Sequence, residues 1–332
     1  MAKYTRVLSI DGGGIRGIIP GQVLRILEGK LEQRKPGARL ADYFDLIAGT
    51  STGGILACIY LCPDENRSGR PRFTAAEAVQ LYLENGDEIF EIPLLHRARS
   101  LGGLRDERYP AEAIEELLER YFGDLRLKEL LRPCLITAYD IKNRRTVFFN
   151  QSKARKKAGD DFLVREVARA TSAAPTFFEC ARVTSASRVR YPMVDGGVFA
   201  NNPTLCAYAE ARKFADRPTA KQMLILSLGT GEQQRPYYYS QAKNWGAAEW
   251  IGPVLDIMMS GVAQTVDYQL RQIYDAVEST GQYLRLQANL PERNADMDNA
   301  DRENVQELAE IGTRLAEKSD EQLDAFVELL LV

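Results

Sequence analysis

A single histidine, His96, stands in 332 residues. Hydroxyl and thiol nucleophiles are usually activated by an imidazole that a carboxylate holds in place. His96 falls in the stretch Ile92 to Arg99, where a surface or flap position suits it better than catalysis, so a histidine-dependent triad is disfavoured. The same scarcity works against a metal centre. Cys58 and Cys62 stand four apart, but a zinc site needs more ligands than these and His96 supply. Asp296, Asp298 and Asp301 lack the glycine and closing glutamate of a calcium loop and read as a solvated loop and helix start. The five cysteines (Cys58, Cys62, Cys134, Cys180 and Cys206) are odd in number and scattered, as expected of reduced cytosolic thiols.

Excess charge is missing as well. Forty-three lysines and arginines against 46 acidic residues leave a net charge of -3, which argues against a nucleic-acid polymer as partner. No apolar run approaches the roughly 18 residues that span a bilayer, so membrane contact is expected to be peripheral. The opening MAKYTRVLSIDGGG carries no charged-then-apolar leader, and the expectation is a cytoplasmic chain. Internal repeats and low-complexity segments are also lacking.

What the chain does have is 45% hydrophobic residues, enough for one large α/β unit: a core over about residues 5–232 with a helical part, about 240–332, packed on it. Thr5 to Ile10 reads as a strand, and Ile19, Val23, Leu24, Leu27 and Leu31 recur at the spacing of a buried helix face. Tyr43 to Ala48 is a second strand, followed by a helix through Leu61. Helices are predicted over Thr74 to Asn85, Pro110 to Phe122 and Val164 to Ala173. Leu135 to Ile141 and Thr146 to Asn150 form a strand pair, and Met223 to Leu228 is a buried strand. Pro253 to Tyr274 and Asp301 to Leu331 carry long amphipathic patterns. Pro63 to Arg72 and Asn289 to Asn299 read as surface loops. Strands interleaved with helices imply a mostly parallel sheet covered on both faces.

Three segments carry chemistry. Gly49-Thr50-Ser51-Thr52-Gly53 follows an apolar strand and precedes a helix, the context of a nucleophile elbow; Gly49 and Gly53 permit the tight turn that presents the serine. No histidine follows in the chain to complete the usual order, so a carboxylate would have to act on Ser51 directly. Asp195-Gly196-Gly197, at the end of the apolar run Tyr191 to Val194, offers one, provided that burial raises its affinity for a proton. Asp11-Gly12-Gly13-Gly14-Ile15-Arg16-Gly17 can line an anion-binding concavity, with Arg16 reinforcing or shaping it. The spacing Gly12, Gly14, Gly17 also fits a dinucleotide-binding loop. That reading needs a strand ending in an acid about 20 positions on, whereas the region offers helical Glu32 followed by Lys35-Pro36-Gly37.

DGGGIRG at 11–17, GTSTG at 49–53 and DGG at 195–197, in that order, resemble the signature blocks of the patatin-like phospholipase family. SAAPTFF at 172–178, LGTG at 228–231, the Trp245-Gly246 pair and VDYQ at 266–269 extend the likeness over about residues 5–315. The resemblance implies a three-layer α/β/α patatin-like fold. It also implies a phospholipase A type lipid acyl hydrolase with Ser51 as nucleophile, Asp195 as base and an oxyanion site built by Gly12, Gly13, Gly14 and Arg16. No metal or cofactor is implied for the chemistry, and the partner is membrane phospholipid met from the cytoplasmic side. The family includes bacterial anti-phage effectors that a cyclic nucleotide activates, and a chain without a leader suits that group better than secreted plant patatins. Such an enzyme needs a gate, and the apolar-basic stretch Ile89 to Arg105 is expected to form a flap that moves when ligand is absent. An acyltransferase on the same dyad and a non-catalytic nucleotide-binding module remain the rivals. The sequence is compatible with a homo-oligomer.

Overall fold

Long β-branched and leucine-rich runs with no polar alternation, such as Met223–Leu228, can be stable only as strands buried on both faces. A computed structural model describes residues 4–89, 109, 111–233 and 236–332. Among the described residues the strands are β1 (Thr5–Ile10), β2 (Leu46–Gly49), β3 (Pro63–Asp64), β4 (Arg67–Pro71), β5 (Cys134–Asp140), β6 (Arg145–Asn150), β7 (Ala181–Thr184), β8 (Arg190–Asp195), β9 (Met223–Leu228) and β10 (Tyr283–Leu286). The main sheet runs β10-β9-β1-β2-β5-β8-β7, with β6 also paired to β5. Its centre is parallel, from β10 through β5. The β5–β6, β5–β8 and β7–β8 pairings are antiparallel.

Alternation along the central strands divides the core into two layers. Leu8, Ile10, Ile47 and Ile136 point to one face, where helices Ile18–Arg34, Thr52–Leu61 and Val164–Thr171 pack. Val7, Leu46, Ala48 and Leu135 point to the other, beneath helix Thr204–Ala211 and the second half of helix Ala247–Asp275. The result is the three-layer α/β/α arrangement with a mostly parallel sheet. Every residue of Thr52–Leu61 is buried, which its uniformly apolar composition requires.

The strand pair about residues 142–144 forms as the alternation predicts, and β9 takes the predicted bounds. Pro63 to Arg72 is not a plain loop but the antiparallel β3–β4 ribbon. The amphipathic segment after Asp301 breaks at Ser319 into helices Arg302–Lys318 and Asp320–Leu331. The break turns Leu323, Phe326, Val327 and Leu330 inward, while Lys30 reaches Asp320 and Asp324, each at 2.7 Å. The flap expected over Ile89 to Arg105 falls on residues 90–105, which together with His96 lie outside the described residues.

The turn from β2 into helix Thr52–Leu61 folds the chain back so sharply that a Cβ on Gly49 would overlap the Gly53 carbonyl. Gly49→Ala is therefore expected to cost about 2–4 kcal/mol in denaturant unfolding. Gly29, within helix Ile18–Arg34, has open space where its Cβ would stand. Gly29→Ala is expected to stabilise by about 0.5–1 kcal/mol in the same measurement.

Candidate active site

Register along β5 brings two distant strand ends together. β6 pairs with Leu135 through Asp140 and so occupies one whole edge of β5. The other edge is shared: β2 runs parallel to it and ends with Gly49 opposite Ile136, while β8 runs antiparallel and ends with Asp195 opposite Ala138. The two strands approach head-on, and the gap between their ends lies over Thr137. The Thr137 hydroxyl stands 2.7 Å from that of Thr50, which donates in turn to the Ala200 carbonyl at 2.6 Å. A buried hydroxyl pair thus ties the chain on both sides of the gap, and Ser51 and Asp195 lie above it.

Ser51 adopts φ 54 and ψ -124, a backbone conformation that costs an L-residue about 1–3 kcal/mol and persists only when its surroundings impose it. They do so here through hydrogen bonds. The Ser51 N–H donates to the Thr171 hydroxyl at 2.8 Å, the Ser51 carbonyl accepts from Ile55 N–H at 3.0 Å, and Thr50 N–H donates to the Ile10 carbonyl at 3.2 Å. Tyr82 exchanges hydrogen bonds with the Thr52 hydroxyl and carbonyl at 2.7 and 3.0 Å, holding the first turn of the following helix. That helix directs its positive end toward the serine.

Asp195 is 4% exposed. Its carboxylate accepts the Gly197 N–H at 2.7 Å, and the Ser51 side chain stands close enough to favour its charged form. Burial pushes the carboxyl up to about 7, against the opposing pull of the Gly197 N–H and the nearby Ser51 side chain. It is thereby poised to gain and lose a proton near neutral pH.

The glycine loop stands beside this pair and is held from three sides. Gly12 N–H donates to the Asn201 carbonyl at 3.0 Å, the Gly12 carbonyl accepts from the Thr230 hydroxyl at 2.7 Å, and Ile15 N–H donates to the Met297 carbonyl at 2.9 Å. Of the residues expected to build the oxyanion site, Gly12 has no N–H left to offer, and Arg16 acts only by shaping the loop. The Gly12 N–H is already committed to Asn201. Arg16 turns its guanidinium to the Gly13 and Ala295 carbonyls, at 3.4 and 3.2 Å, and braces the loop without lining the cavity. Burial lowers Arg16 to about 10, so it remains a cation at neutral pH. Gly13 and Gly14 do line the cavity, and neither N–H has an acceptor among the described residues. Asp11, which precedes the loop, is bound by Arg285 through two hydrogen bonds of 2.9 and 2.5 Å and faces away from the cavity as a structural partner.

Ser51 and Asp195 sit at the floor of a cavity of about 380 Å3 whose walls are almost wholly apolar, including Ile55, Ile114, Phe177, Phe178, Leu255 and Met259. The Ala174 to Phe178 segment supplies one wall and helix Ala247–Asp275 another. Thr171, Asn201, Thr230 and Tyr82 were not singled out from the sequence as site residues. Nothing in their spacing marks them, although Thr230 belongs to the LGTG segment. Among the described residues no three histidine, cysteine or acidic side chains come together as a metal site. The arrangement offers a hydroxyl nucleophile, a carboxylate of neutral-range affinity, two unused backbone N–H donors and an apolar pocket that suits a hydrocarbon chain.

Comparison with known proteins identifies the family. Residues 8–208 match the family model described as patatin-like phospholipase. "Patatin-like protein 2" of Oryza sativa subsp. indica is 34% identical over 350 residues, covering 97% of this chain and 86% of the relative. "Patatin-T5" of Solanum tuberosum is 33% identical over 359 residues, covering 99% and 90%. "Probable inactive patatin-3-Kuras 1" of the same plant is 33% identical over 338 residues, covering 96% of this chain and 88% of its own length. A relative named as inactive lies within the same range of identity, so the degree of likeness does not separate working sites from lost ones. Both the family model and these full-length matches place the chain in the patatin-like phospholipase family.

Proposed function

We propose that the chain hydrolyses acyl esters of phospholipids or related lipids through a Ser51–Asp195 dyad. Family membership supports lipid acyl hydrolysis as the activity class. The observation that carries the mechanism is the placing of Ser51 beside a buried Asp195, whose carboxyl is held at about 7, in the lining of one apolar cavity.

In this mechanism Asp195 takes the hydroxyl proton as Ser51 Oγ bonds to the ester carbonyl carbon, and the carbonyl electron pair moves onto oxygen. The free N–H groups of Gly13 and Gly14 receive that oxyanion. Collapse re-forms the carbonyl and expels the alkoxide, which takes the proton from Asp195. Water then attacks the acyl-enzyme, passing a proton to Asp195, and collapse releases the fatty acid as Ser51 Oγ regains its proton. One carboxyl serves both halves, so an imidazole is not needed. The strained Ser51 backbone and the hydrogen bonds around it keep Oγ in place in both.

Membership in the bacterial anti-phage group, activation by a cyclic nucleotide and a cytoplasmic setting remain parts of this proposal that rest on the resemblance. The described residues assign no pocket to a nucleotide. No described helix is long and apolar enough to cross a membrane. Fatty-acid release measured with and without a panel of cyclic nucleotides tests the activation directly, and product analysis in the presence of an acceptor alcohol separates hydrolysis from acyl transfer.

Ser51→Ala and Asp195→Asn are each expected to lower kcat/KM for a soluble ester by roughly a thousandfold or more while the fold is kept. Wild-type turnover in Ser51→Ala would remove the mechanism. The carboxylate form is the base, so wild-type kcat/KM should rise with pH through about 7 and level off above it.

Stability should run the other way. An unfolded aspartate titrates near 3.9. Between about pH 4 and 7 the native state keeps a proton that the unfolded chain has released, so stability falls as pH rises through that window. Asp195→Asn removes this slope, and its gain in Tm over wild type should be larger at about pH 8 than at about pH 5. An equal change at both values would contradict a raised Asp195.

A further inference from the structure

Helix Ala247–Asp275 has three different surroundings along its length. In its second half Val266, Leu270 and Tyr274, four residues apart, are buried on the sheet. In its first half Gly252, Leu255 and Met259, at three- and four-residue spacing, line the cavity, and the Asp256 carboxylate beside them accepts a hydrogen bond from the Tyr237 hydroxyl at 3.1 Å. The adjoining stripe of Trp250, Val254, Ile257 and Met258 is apolar yet faces outward, with Ile257 45% and Met258 49% exposed. Met258 belongs to both surfaces, so the exposed stripe continues into the mouth of the cavity.

The segment before the helix extends this face. Tyr238 and Tyr239 are exposed, Tyr239 at 82%. Tyr237, Trp245 and Trp250 form a run of edge-to-face rings with centroids 5.4 and 5.1 Å apart, which fastens the segment to the helix start. Charge is sparse: from residue 236 to 261 only Lys243, Glu249 and Asp256 are ionisable as Lys, Arg, Asp or Glu, in a chain that is 27% charged. Contiguous apolar surface of this kind marks an interaction site. Tyrosine and tryptophan beside aliphatic side chains match the chemistry of a membrane–water boundary, where amphipathic rings settle at headgroup level.

We propose that this face docks the protein on an uncharged, zwitterionic lipid surface, with Trp250, Val254 and Ile257 entering the headgroup–acyl boundary and the cavity mouth opening onto the ester layer. This inference rests on the lipid-ester reading above and adds to it the surface by which substrate is reached. Near-absence of charge makes the attraction one of apolar burial, and continuity with the cavity gives the lipid a dry route to Ser51. A protein partner or a second copy on the same face would cover that mouth.

The test compares wild type with Val254→Glu/Ile257→Glu, both positions being outside the cavity lining. Readouts are co-sedimentation with phosphatidylcholine vesicles, fatty-acid release from those vesicles, turnover of a soluble short-chain ester, and mass in solution. The expected result is that the double variant loses vesicle binding and vesicle hydrolysis by about tenfold or more. Its soluble-ester turnover should stay within about twofold of wild type, and wild-type vesicle binding should change little with added salt.

Unchanged vesicle binding by the double variant would overturn the proposal. So would wild-type binding confined to anionic vesicles and abolished by salt. A wild-type dimer that the double variant converts to monomer with vesicle binding intact would assign the face to self-association instead. Wild type that binds vesicles through this face but turns over neither substrate would leave the docking surface standing and remove the catalytic reading.

Discussion

The site depends on one feature of strand register. A single edge of β5 is divided between β2, arriving parallel, and β8, arriving antiparallel, and the division leaves a gap of one residue at Thr137. Because backbone hydrogen bonds fix both registers, the distance between Gly49 and Asp195 is set by the sheet and not by a flexible loop. A slip of one residue in either strand would also turn its buried side chains to the wrong face, so packing and active-site geometry enforce each other. The Thr50–Thr137 hydroxyl pair satisfies the polar groups that such a junction would otherwise leave bare.

Burial of this junction does a second thing. The apolar cavity that suits a hydrocarbon chain also withdraws solvent from Asp195, and that desolvation is the largest influence on its carboxyl. A solvent-exposed aspartate would be too weak a base for a serine hydroxyl. In the proposed mechanism the apolar lining of the pocket is therefore what would let a carboxylate act as the base. The unused N–H groups of the glycine loop arise by a related economy of hydrogen bonding. Asn201, Thr230 and Met297 hold Gly12 and Ile15, leaving the Gly13 and Gly14 N–H groups between them without partners inside the protein.

Helix Ala247–Asp275 joins the site to its surroundings. Its inner half is anchored by the layer of side chains that covers the far face of the sheet, and its outer half forms a cavity wall. An apolar stripe along the outside of that wall has no counterpart in the packing of the core. Secondary structure alone would describe one amphipathic helix, whereas packing shows a helix whose polar face is interrupted at the cavity mouth.

Much of the scaffold was legible from local pattern. The largely apolar run of β9, the three- and four-residue spacing in Ile18–Arg34 and the turn residues around the β5–β6 pair reflect local physics that the sequence states by itself. The strands β7 and β10 were not, since their mixed polar and apolar residues give no clear run to read and they are stabilised by their neighbours. Ser51 and Asp195 were visible as candidates because tight turns demand glycine beside them. That they meet, that Gly12 is spent on Asn201 while Gly13 and Gly14 are not, and that Arg16 braces the loop depend on partners up to some 280 residues distant in the chain. Sequence by itself determined the elements, the family resemblance and the reactive residue types. Register, burial and the sharing of hydrogen bonds among distant segments decided which atoms remain available for chemistry, because those quantities exist only once the chain has folded.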